Sequence, residues 1–174
     1  MRIAIMQPYF LPYIGYYQLV ASVDRLVILD DVNYVNRGWI NRNIIAWNQS
    51  PHWMTIPLLS ASQNTLIRDL VIAPDSGWKK KLKSTIDHFY GKAPMFHRFE
   101  CVFRNMIDRA CGNLADYLRE TLNDIFGILD IRIDIIPTSE IYPKNGLKGQ
   151  ERIIQICKEL GADSYVNLPG GQHL

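Results

Sequence analysis

The sequence predicts an α/β protein: a mostly parallel, Rossmann-like sheet flanked by helices, with a helical hairpin inserted in the middle of the chain. Short apolar runs typical of buried strands lie towards both ends, and stretches with an apolar period of 3.6 residues lie between them. Strands separated by helices favour a parallel sheet. The 174 residues fit a single domain over 1–174, in which residues 75–127 form the helical insertion.

The first part of the chain contains four predicted strands and one helix. The strands are predicted over residues 2–7, 24–30, 53–58 and 67–73. Pro8 and Pro12 bracket a turn after the first strand, and a helix is predicted over about residues 12–22. Because Pro57 has no backbone N–H to donate, we expect the third strand to lie at a sheet edge or to end there.

The second part of the chain is mostly helical. Apolar residues recur at helical spacing over residues 78–89, 99–110, 114–125 and 149–160. Asp75 or Ser76 can cap the first of these helices, and Gly161 can end the last. Short strands are predicted over residues 131–136 and 164–168.

The composition excludes several classes of protein. Nineteen Lys and Arg against 17 Asp and Glu leave a net charge of +2, too small to favour DNA, RNA or anionic lipid as partners. Apolar runs are too short for a membrane span or a signal peptide, so we expect a cytoplasmic protein. The three cysteines, Cys101, Cys111 and Cys157, lie far apart, and we expect reduced core thiols and no metal site.

The candidate site lies where charges are sparse. Residues 1–57 contain only seven charged side chains, and in a parallel sheet ligands bind beyond the carboxyl ends of the strands. Applied to the predicted strands, this rule selects as candidate site residues Gln7, the pair Asp30 and Asp31, and the loop over residues 33–43. The loop contains two arginines, four asparagines, Tyr34 and Trp39, a large hydrogen-bonding capacity for a connector. The alternative is an elaborate turn in which the Asn side chains bond their own backbone.

Other familiar catalytic patterns are absent, and few further candidates remain. The sequence has no GxGxxG or GxxxxGK[ST] phosphate loop, no GxSxG elbow and no HxGH signature after the first strand. Lys148 precedes a predicted helix start, where an anion can bind. His173 follows Gly170 and Gly171 after the last predicted strand, from where it can reach the site as a base.

Several segments resemble the WbqC-like protein family. Its members typically begin with QPxYLPWIGYF, reach a DDVQY segment and continue into RGWxNRN, and the corresponding segments here are residues 7–17, 30–34 and 37–43. The resemblance resumes in residues 148–167 and in the closing PGGQHL. Family chains usually continue after PGG, so we expect that this domain is truncated at its C-terminus.

The resemblance implies an enzyme of bacterial surface-polysaccharide (O-antigen) synthesis. The family is known mainly from such gene clusters, and the implied reaction transfers an amino acid, glycine in particular, to an amino sugar. The expected partners are a nucleotide-linked amino sugar and an activated amino acid. The acyl donor is not identified: aminoacyl-tRNA, a carrier-bound thioester and glycine activated by ATP all fit the sequence. The sequence contains no nicotinamide-binding motif, and no cofactor is assigned. The alternatives are an ATP-dependent ligase or nucleotidyl transferase, and a noncatalytic binding subunit.

Such a transfer assigns roles to the candidate residues. Asp30, Asp31 or His173 would act as the general base that accepts a proton from the attacking amine. Side chains alternate along a strand, so we expect at most one of the two aspartates to face the crevice if both remain extended, and the other to hold Arg37 or Arg42. The alternative is that the pair caps the following turn. The expected substrate-binding residues are Gln7, Tyr9, Tyr34, Arg37, Trp39, Asn41, Arg42, Asn43, Lys148, Gly170 and Gly171.

Overall fold

Among the residues that the structure describes, strands alternate with helices at the two ends of the chain, whereas five successive strands and then three successive helices lie between them. The structure is a computed structural model that describes residues 1–47 and 50–171. The elements of the described residues are β1 (Arg2–Met6), α1 (Ile14–Ala21), β2 (Arg25–Ile28), β3 (Arg42–Trp47), β4 (Ser50–Thr55), β5 (Leu58–Leu59), β6 (Val71–Ile72), α2 (Trp78–Tyr90), α3 (Phe96–Arg109), α4 (Leu114–Ile128), β7 (Asp134–Ile136), α5 (Gly149–Glu159) and β8 (Ser164–Tyr165).

A four-stranded parallel sheet forms the centre of the molecule, which confirms the predicted fold class. Its strand order is β7-β2-β1-β8. Side chains alternate across β1: Ala4 and Met6 pack with α1, α3 and α4, whereas Ile3 and Ile5 pack against α5 on the other face. Both faces of the sheet are therefore covered by helices, which explains why its strands read as continuous apolar runs.

The strands predicted over residues 53–58 and 67–73 are not members of this sheet. β3 and β4 form an antiparallel hairpin, and β5 pairs with β6 in a separate antiparallel pair. Pro57 separates β4 from β5, and a 3₁₀ turn over Ile67–Asp69 precedes β6. The prediction of two sheet strands was wrong because apolar alternation indicates an extended chain but not its partner.

Helices α2, α3 and α4 span residues 78–128, close to the predicted helical segment 75–127. Asp75 caps α2 by accepting hydrogen bonds from the amides of Gly77 (2.9 Å) and Lys79 (3.3 Å). Helix α4 joins two cores, because Leu118 packs towards α2, α3 and the small β-pairs while Leu122 packs against the central sheet. The helices thereby hold the β3–β4 hairpin beside the sheet.

The cysteines depart from the prediction of core thiols. Cys101 and Cys111 are exposed, and Cys157 is half-buried; all three are free. Cys101 falls outside the buried stripe of α3, which is formed by Phe103, Met106 and Ile107. Burial raises the pKa of the Cys157 thiol, which disfavours its reactive thiolate.

The described residues also lack two kinds of feature. None of their helices combines the length and apolar character needed to cross a membrane. Within the same residues, no cluster of three or more His, Cys, Asp or Glu side chains is arranged to hold a metal ion.

Asn113 fixes the segment around Arg68 to the start of α4. Its Oδ1 accepts a hydrogen bond from the amide of Asp116 (3.1 Å), and its Nδ2 donates to the carbonyl of Arg68. Asn113→Ala should lower the free energy of unfolding by about 1–2 kcal/mol, because both the helix cap and the partner of that carbonyl are lost. Urea denaturation followed by circular dichroism measures this.

Asn105 offers a matched control. It is exposed on α3, and Asn105→Ala should change stability by no more than about 0.5 kcal/mol. Equal effects of the two substitutions would contradict the role assigned to Asn113.

Candidate functional site

The strand order reverses between β1 and β8. The chain runs from β1 through α1 to β2 on one side, and from β7 through α5 to β8 on the other side of β1. The two connections leave the sheet in opposite directions, so a crevice opens beyond the carboxyl ends of β1 and β8. In open parallel sheets this reversal is the usual ligand site.

A cavity of about 430 Å³ occupies this crevice, and we call it the aromatic crevice. Residues that follow β1 and β8 form its base, and aromatic side chains form its walls. Its lining residues are Ile5, Met6, Gln7, Tyr9, Tyr13, Leu29, Trp39, Asn167, Leu168 and Gly170. An adjoining lobe of about 330 Å³ is lined by Tyr9, Pro12, Tyr13, Trp39 and Asn43. The combined space suits a small ligand.

Trp39 presents an aromatic surface to this crevice. It is 48% exposed, and its ring stacks on that of Trp53 with centroids 5.6 Å apart and planes 28° apart. The guanidinium carbon of Arg42 lies 4.0 Å from the centroid of Trp53, a cation–π contact. The hairpin residues therefore fix the orientation of Trp39 before any ligand binds.

Other residues of the 33–43 loop support Trp39 from inside. Tyr34 and Asn41 are buried: the Tyr34 hydroxyl donates to Asn41 Oδ1 (2.9 Å), and Asn41 Nδ2 donates to the carbonyl of Ile56 (2.8 Å). Burial raises the pKa of Tyr34 and keeps its hydroxyl protonated. These two residues do not line the aromatic crevice; they hold the loop against the hairpin.

The side chains of Arg42 and of the last asparagine of the loop also bond to backbone. Arg42 Nε donates to the carbonyl of Gly38 (3.0 Å), and its Nη2 donates to that of Arg37. Arg37 is exposed and adopts a left-handed φ of 62°. Asn43 Nδ2 donates to the carbonyl of Phe10 (3.2 Å), which ties the hairpin to the segment after β1.

Asp30 faces a different cavity. Its Oδ1 accepts hydrogen bonds from Thr138 Oγ1 (2.8 Å) and from the amide of Ser139 (3.1 Å). Burial raises the pKa of Asp30, although these hydrogen bonds oppose the shift. The cavity, about 480 Å³, is lined by Asp30, Arg68, Asp69, Asn113, Ala115, Asp116, Arg119, Pro137, Thr138 and Glu140. We call it the polar cavity.

Asp31 is held in a buried ion pair. Its Oδ2 lies 3.2 Å from Arg152 Nη2 and 3.6 Å from Lys144 Nζ, and the Ser139 hydroxyl donates to its Oδ1. Asp31 and Arg152 are 3% and 4% exposed. The expectation that Arg37 or Arg42 would be held by the aspartate pair was wrong, since Arg152 takes that place. Arg152 lies one helical turn before the buried Ile156, so the two share a face of the helix, and this spacing is the sequence signal that Arg152 faces inward.

The remaining predicted residues are distributed as follows. Gln7, Tyr9, Trp39 and Gly170 meet in the aromatic crevice, with Asn43 in its lobe. Lys148 is exposed at the start of α5, and Gly171 ends the 3₁₀ turn Pro169–Gly171. His173 lies outside the described residues. The structure does not bring the two aspartates into the crevice, although Leu29, directly before Asp30, lines it.

Sequence reasoning missed several lining residues, of which Tyr13 and Asn167 carry polar side-chain groups. Tyr13 is 59% exposed, and its ring lies over Gly15: a Cβ at Gly15 would be only 2.4 Å from Tyr13 Cε2. The PYIGYY segment contained this signal, because a glycine two residues after an aromatic leaves room for the ring. Asn167 follows β8, and the strand-end rule that selected Gln7 selects it as well.

Comparisons with known proteins identify relatives over nearly the whole chain. Residues 7–174 match the model of the WbqC-like protein family. The chain is also similar to the uncharacterized protein Rv1507c of Mycobacterium tuberculosis, with 28% identity over 173 residues, which is 98% of this chain and 74% of that protein. No solved structure matches.

The two aspartates should affect stability in opposite directions. The pKa of Asp30 is higher in the folded protein than the value of 3.8 in the unfolded chain. Asp30 therefore contributes to stability at a pH below 3.8, and this contribution is lost as the pH rises through the folded-state pKa. The asparagine of Asp30→Asn carries no charge, so the stability of this variant relative to the native protein should increase between about pH 4 and about pH 7.

Asp31→Asn should lower the free energy of unfolding by about 3–5 kcal/mol near pH 7, because it leaves Arg152 buried without its carboxylate partner.

Urea denaturation of both variants across this pH range measures these effects. A stability difference for Asp30→Asn that stayed constant with pH would contradict the desolvation of Asp30. A loss for Asp31→Asn below about 1 kcal/mol would show that Arg152 does not depend on that carboxylate.

Proposed function

The chain belongs to the WbqC-like protein family, and we propose that it transfers an amino-acid acyl group, glycine in particular, onto the amino group of an amino sugar during synthesis of a bacterial surface polysaccharide. The observation that carries this proposal is the exposed face of Trp39 in a crevice at the carboxyl ends of β1 and β8. A flat, amphipathic ring can stack on the apolar face of a sugar while the hydroxyls reach polar groups at the edge.

Two amides at the base of the aromatic crevice suit a hydroxylated ligand. Gln7 follows β1 and Asn167 follows β8, so they approach from the two strands that flank the reversal. An amide side chain both donates and accepts, as a sugar hydroxyl does. Asn167 Oδ1 accepts from the amide of Leu168 (2.8 Å), an arrangement that orients its Nδ2 donor.

The chemistry needs an uncharged amine and an activated carboxyl. The amine nitrogen attacks the acyl carbon, the new C–N bond forms, the bond to the leaving oxygen or sulfur breaks, and a base accepts the proton from nitrogen. Neither aspartate is assigned as this base, because neither lines the aromatic crevice in which the amine is proposed to bind. Asp30 lines the polar cavity, and Asp31 is paired with Arg152.

A second candidate uses the same crevice to bind a nucleotide. A reversal of strand order is where parallel sheets of this kind bind nucleotides, and Trp39 offers a face to a base as well as to a sugar. The corresponding activity is that of an ATP-dependent ligase or nucleotidyl transferase. It predicts that glycine and ATP together release pyrophosphate or ADP.

One experiment tests both candidates. The protein is incubated with nucleotide-linked amino sugars, glycine and ATP, with and without glycyl-tRNA, and the sugars are analysed by mass spectrometry. An acylated amino sugar supports the transferase, and pyrophosphate or ADP release without acylation supports the second candidate. Binding of the sugar with neither product would contradict both and indicate a noncatalytic binding subunit.

Trp39→Ala should raise the KM for the amino sugar roughly tenfold, equivalent to about 1.4 kcal/mol, because the apolar face of the sugar loses the aromatic surface on which it stacks. The value of kcat should change less, since Trp39 is assigned to binding. Trp39→Phe keeps a ring and should recover part of the loss. Steady-state kinetics with varied acceptor measures these effects.

Val35→Ala is the control on the same loop. Val35 is 55% exposed and does not line the aromatic crevice. An unchanged KM in Trp39→Ala, or an equal rise in Val35→Ala, would remove Trp39 from the acceptor site.

Asp30→Asn should leave kcat for the transfer nearly unchanged, because Asp30 lines the polar cavity and not the aromatic crevice. Steady-state kinetics of the folded variant measures this. A loss of about 10²- to 10⁴-fold, the usual contribution of a general base, would place the reacting amine in the polar cavity and contradict the assignment of the aromatic crevice.

A further inference from the structure

A second, apolar cavity lies beside the aromatic crevice. It has a volume of about 450 Å³ and lies between the β3–β4 hairpin and the turn that joins α2 to α3. The hairpin contributes Ile44 and Met54, and the helices contribute Ile86, Phe96 and Phe99. Among the described residues that line it, only Asn43 and two tyrosines carry polar side-chain groups. We call it the apolar cavity.

The apolar cavity adjoins the aromatic crevice. Tyr13 and Asn43 line both the apolar cavity and the lobe of the crevice, and Tyr13 lines the crevice itself as well. Asn43 is fixed by its hydrogen bond to the carbonyl of Phe10, whereas the Tyr13 ring is exposed above Gly15. The three spaces are therefore neighbours at these two residues, and along this path the polar character of the lining falls from Gln7 to Phe99.

The size and lining of the apolar cavity suit a ligand. It is a concave space of about 450 Å³ that is open to solvent and lined mostly by apolar side chains, as small-ligand sites are. A nucleotide or diphosphate is a poor occupant, because charged groups buried there would lack the cations that pair with them. A hydrocarbon chain has the matching chemistry.

We infer that the ligand of this path is an amphiphile, with a sugar in the aromatic crevice and a hydrocarbon chain in the apolar cavity. For the enzyme, this names the acceptor as an amino sugar linked to a lipid. The identity of the sugar rests on the proposed function, but the chain-binding cavity does not. Trp39 lines the lobe and stacks on Trp53, and both rings are about half exposed, as suits tryptophan at a boundary between apolar and aqueous surroundings.

Alkyl glucosides with chains of four to eight carbons test this inference. Their binding to the full chain is measured by isothermal titration calorimetry, below the concentrations at which they form micelles. Each added methylene should tighten the Kd about fourfold until the apolar cavity is filled. Because this test needs no catalysis, it stands even if the protein acylates no sugar.

A matched pair of variants locates the chain. Ile44 lines the apolar cavity and is 37% exposed on β3, whereas Val71 is 41% exposed on β6 and does not line it. In Ile44→Asp the Kd should no longer depend on the length of the alkyl chain, whereas in Val71→Asp the dependence of the Kd on chain length should be preserved. Ala93→Trp is the alternative if Ile44→Asp does not fold. Ala93 is an exposed lining residue at the α2–α3 turn, so a tryptophan there takes up space in the cavity. This variant should weaken the binding of octyl glucoside but not the binding of butyl glucoside.

Three results would overturn the inference. The first is a Kd independent of chain length in the native protein. The second is that Ile44→Asp and Val71→Asp reduce the dependence of the Kd on alkyl chain length equally, which would place the hydrocarbon chain outside the apolar cavity. The third is a dimer in sedimentation equilibrium that Ile44→Asp dissociates, because a second copy of the chain would then cover the apolar cavity.

Discussion

The buried contact between Asp31 and Arg152 joins the segments that set the carboxyl edge of the sheet. Asp31 follows β2, Arg152 lies on α5, and Arg152 also donates to the carbonyls of Ser139 (3.0 Å) and Tyr142 after β7. Helix α5 leads directly into β8, so this contact fixes where the chain crosses to the far side of β1. The aromatic crevice exists because that crossing leaves β1 and β8 without a connection over their ends.

A buried ion pair of this kind contributes more to the choice of one arrangement than to net stability. Desolvation of two charges offsets much of their attraction, whereas removal of one partner leaves the other charge uncompensated. Asp31 and Arg152 lie 121 residues apart in the chain, so only the correct crossover satisfies both. The same edge carries two cavities of different chemistry: Leu29 lines the aromatic crevice and the adjacent Asp30 lines the polar cavity.

The sequence allowed the central sheet and the helices to be predicted, because their periodicity arises within each segment. β1, β2 and α5 were located to within about two residues. The pairing of β3 with β4 and the partner of Asp31 depend on contacts between distant segments, which periodicity does not contain. For the same reason, the strand-end rule found Gln7 and Trp39 but could not show that Tyr34 and Asn41 turn inward.

The central claim is that the aromatic crevice is where the substrate binds. A crystal structure of the protein with a bound amino sugar, supplied as its soluble nucleotide-linked form, tests it most directly. The account predicts that the sugar ring lies against Trp39 between the ends of β1 and β8, within hydrogen-bonding distance of Gln7 or Asn167. A sugar bound in the polar cavity beside Asp30, with the aromatic crevice empty, would contradict it.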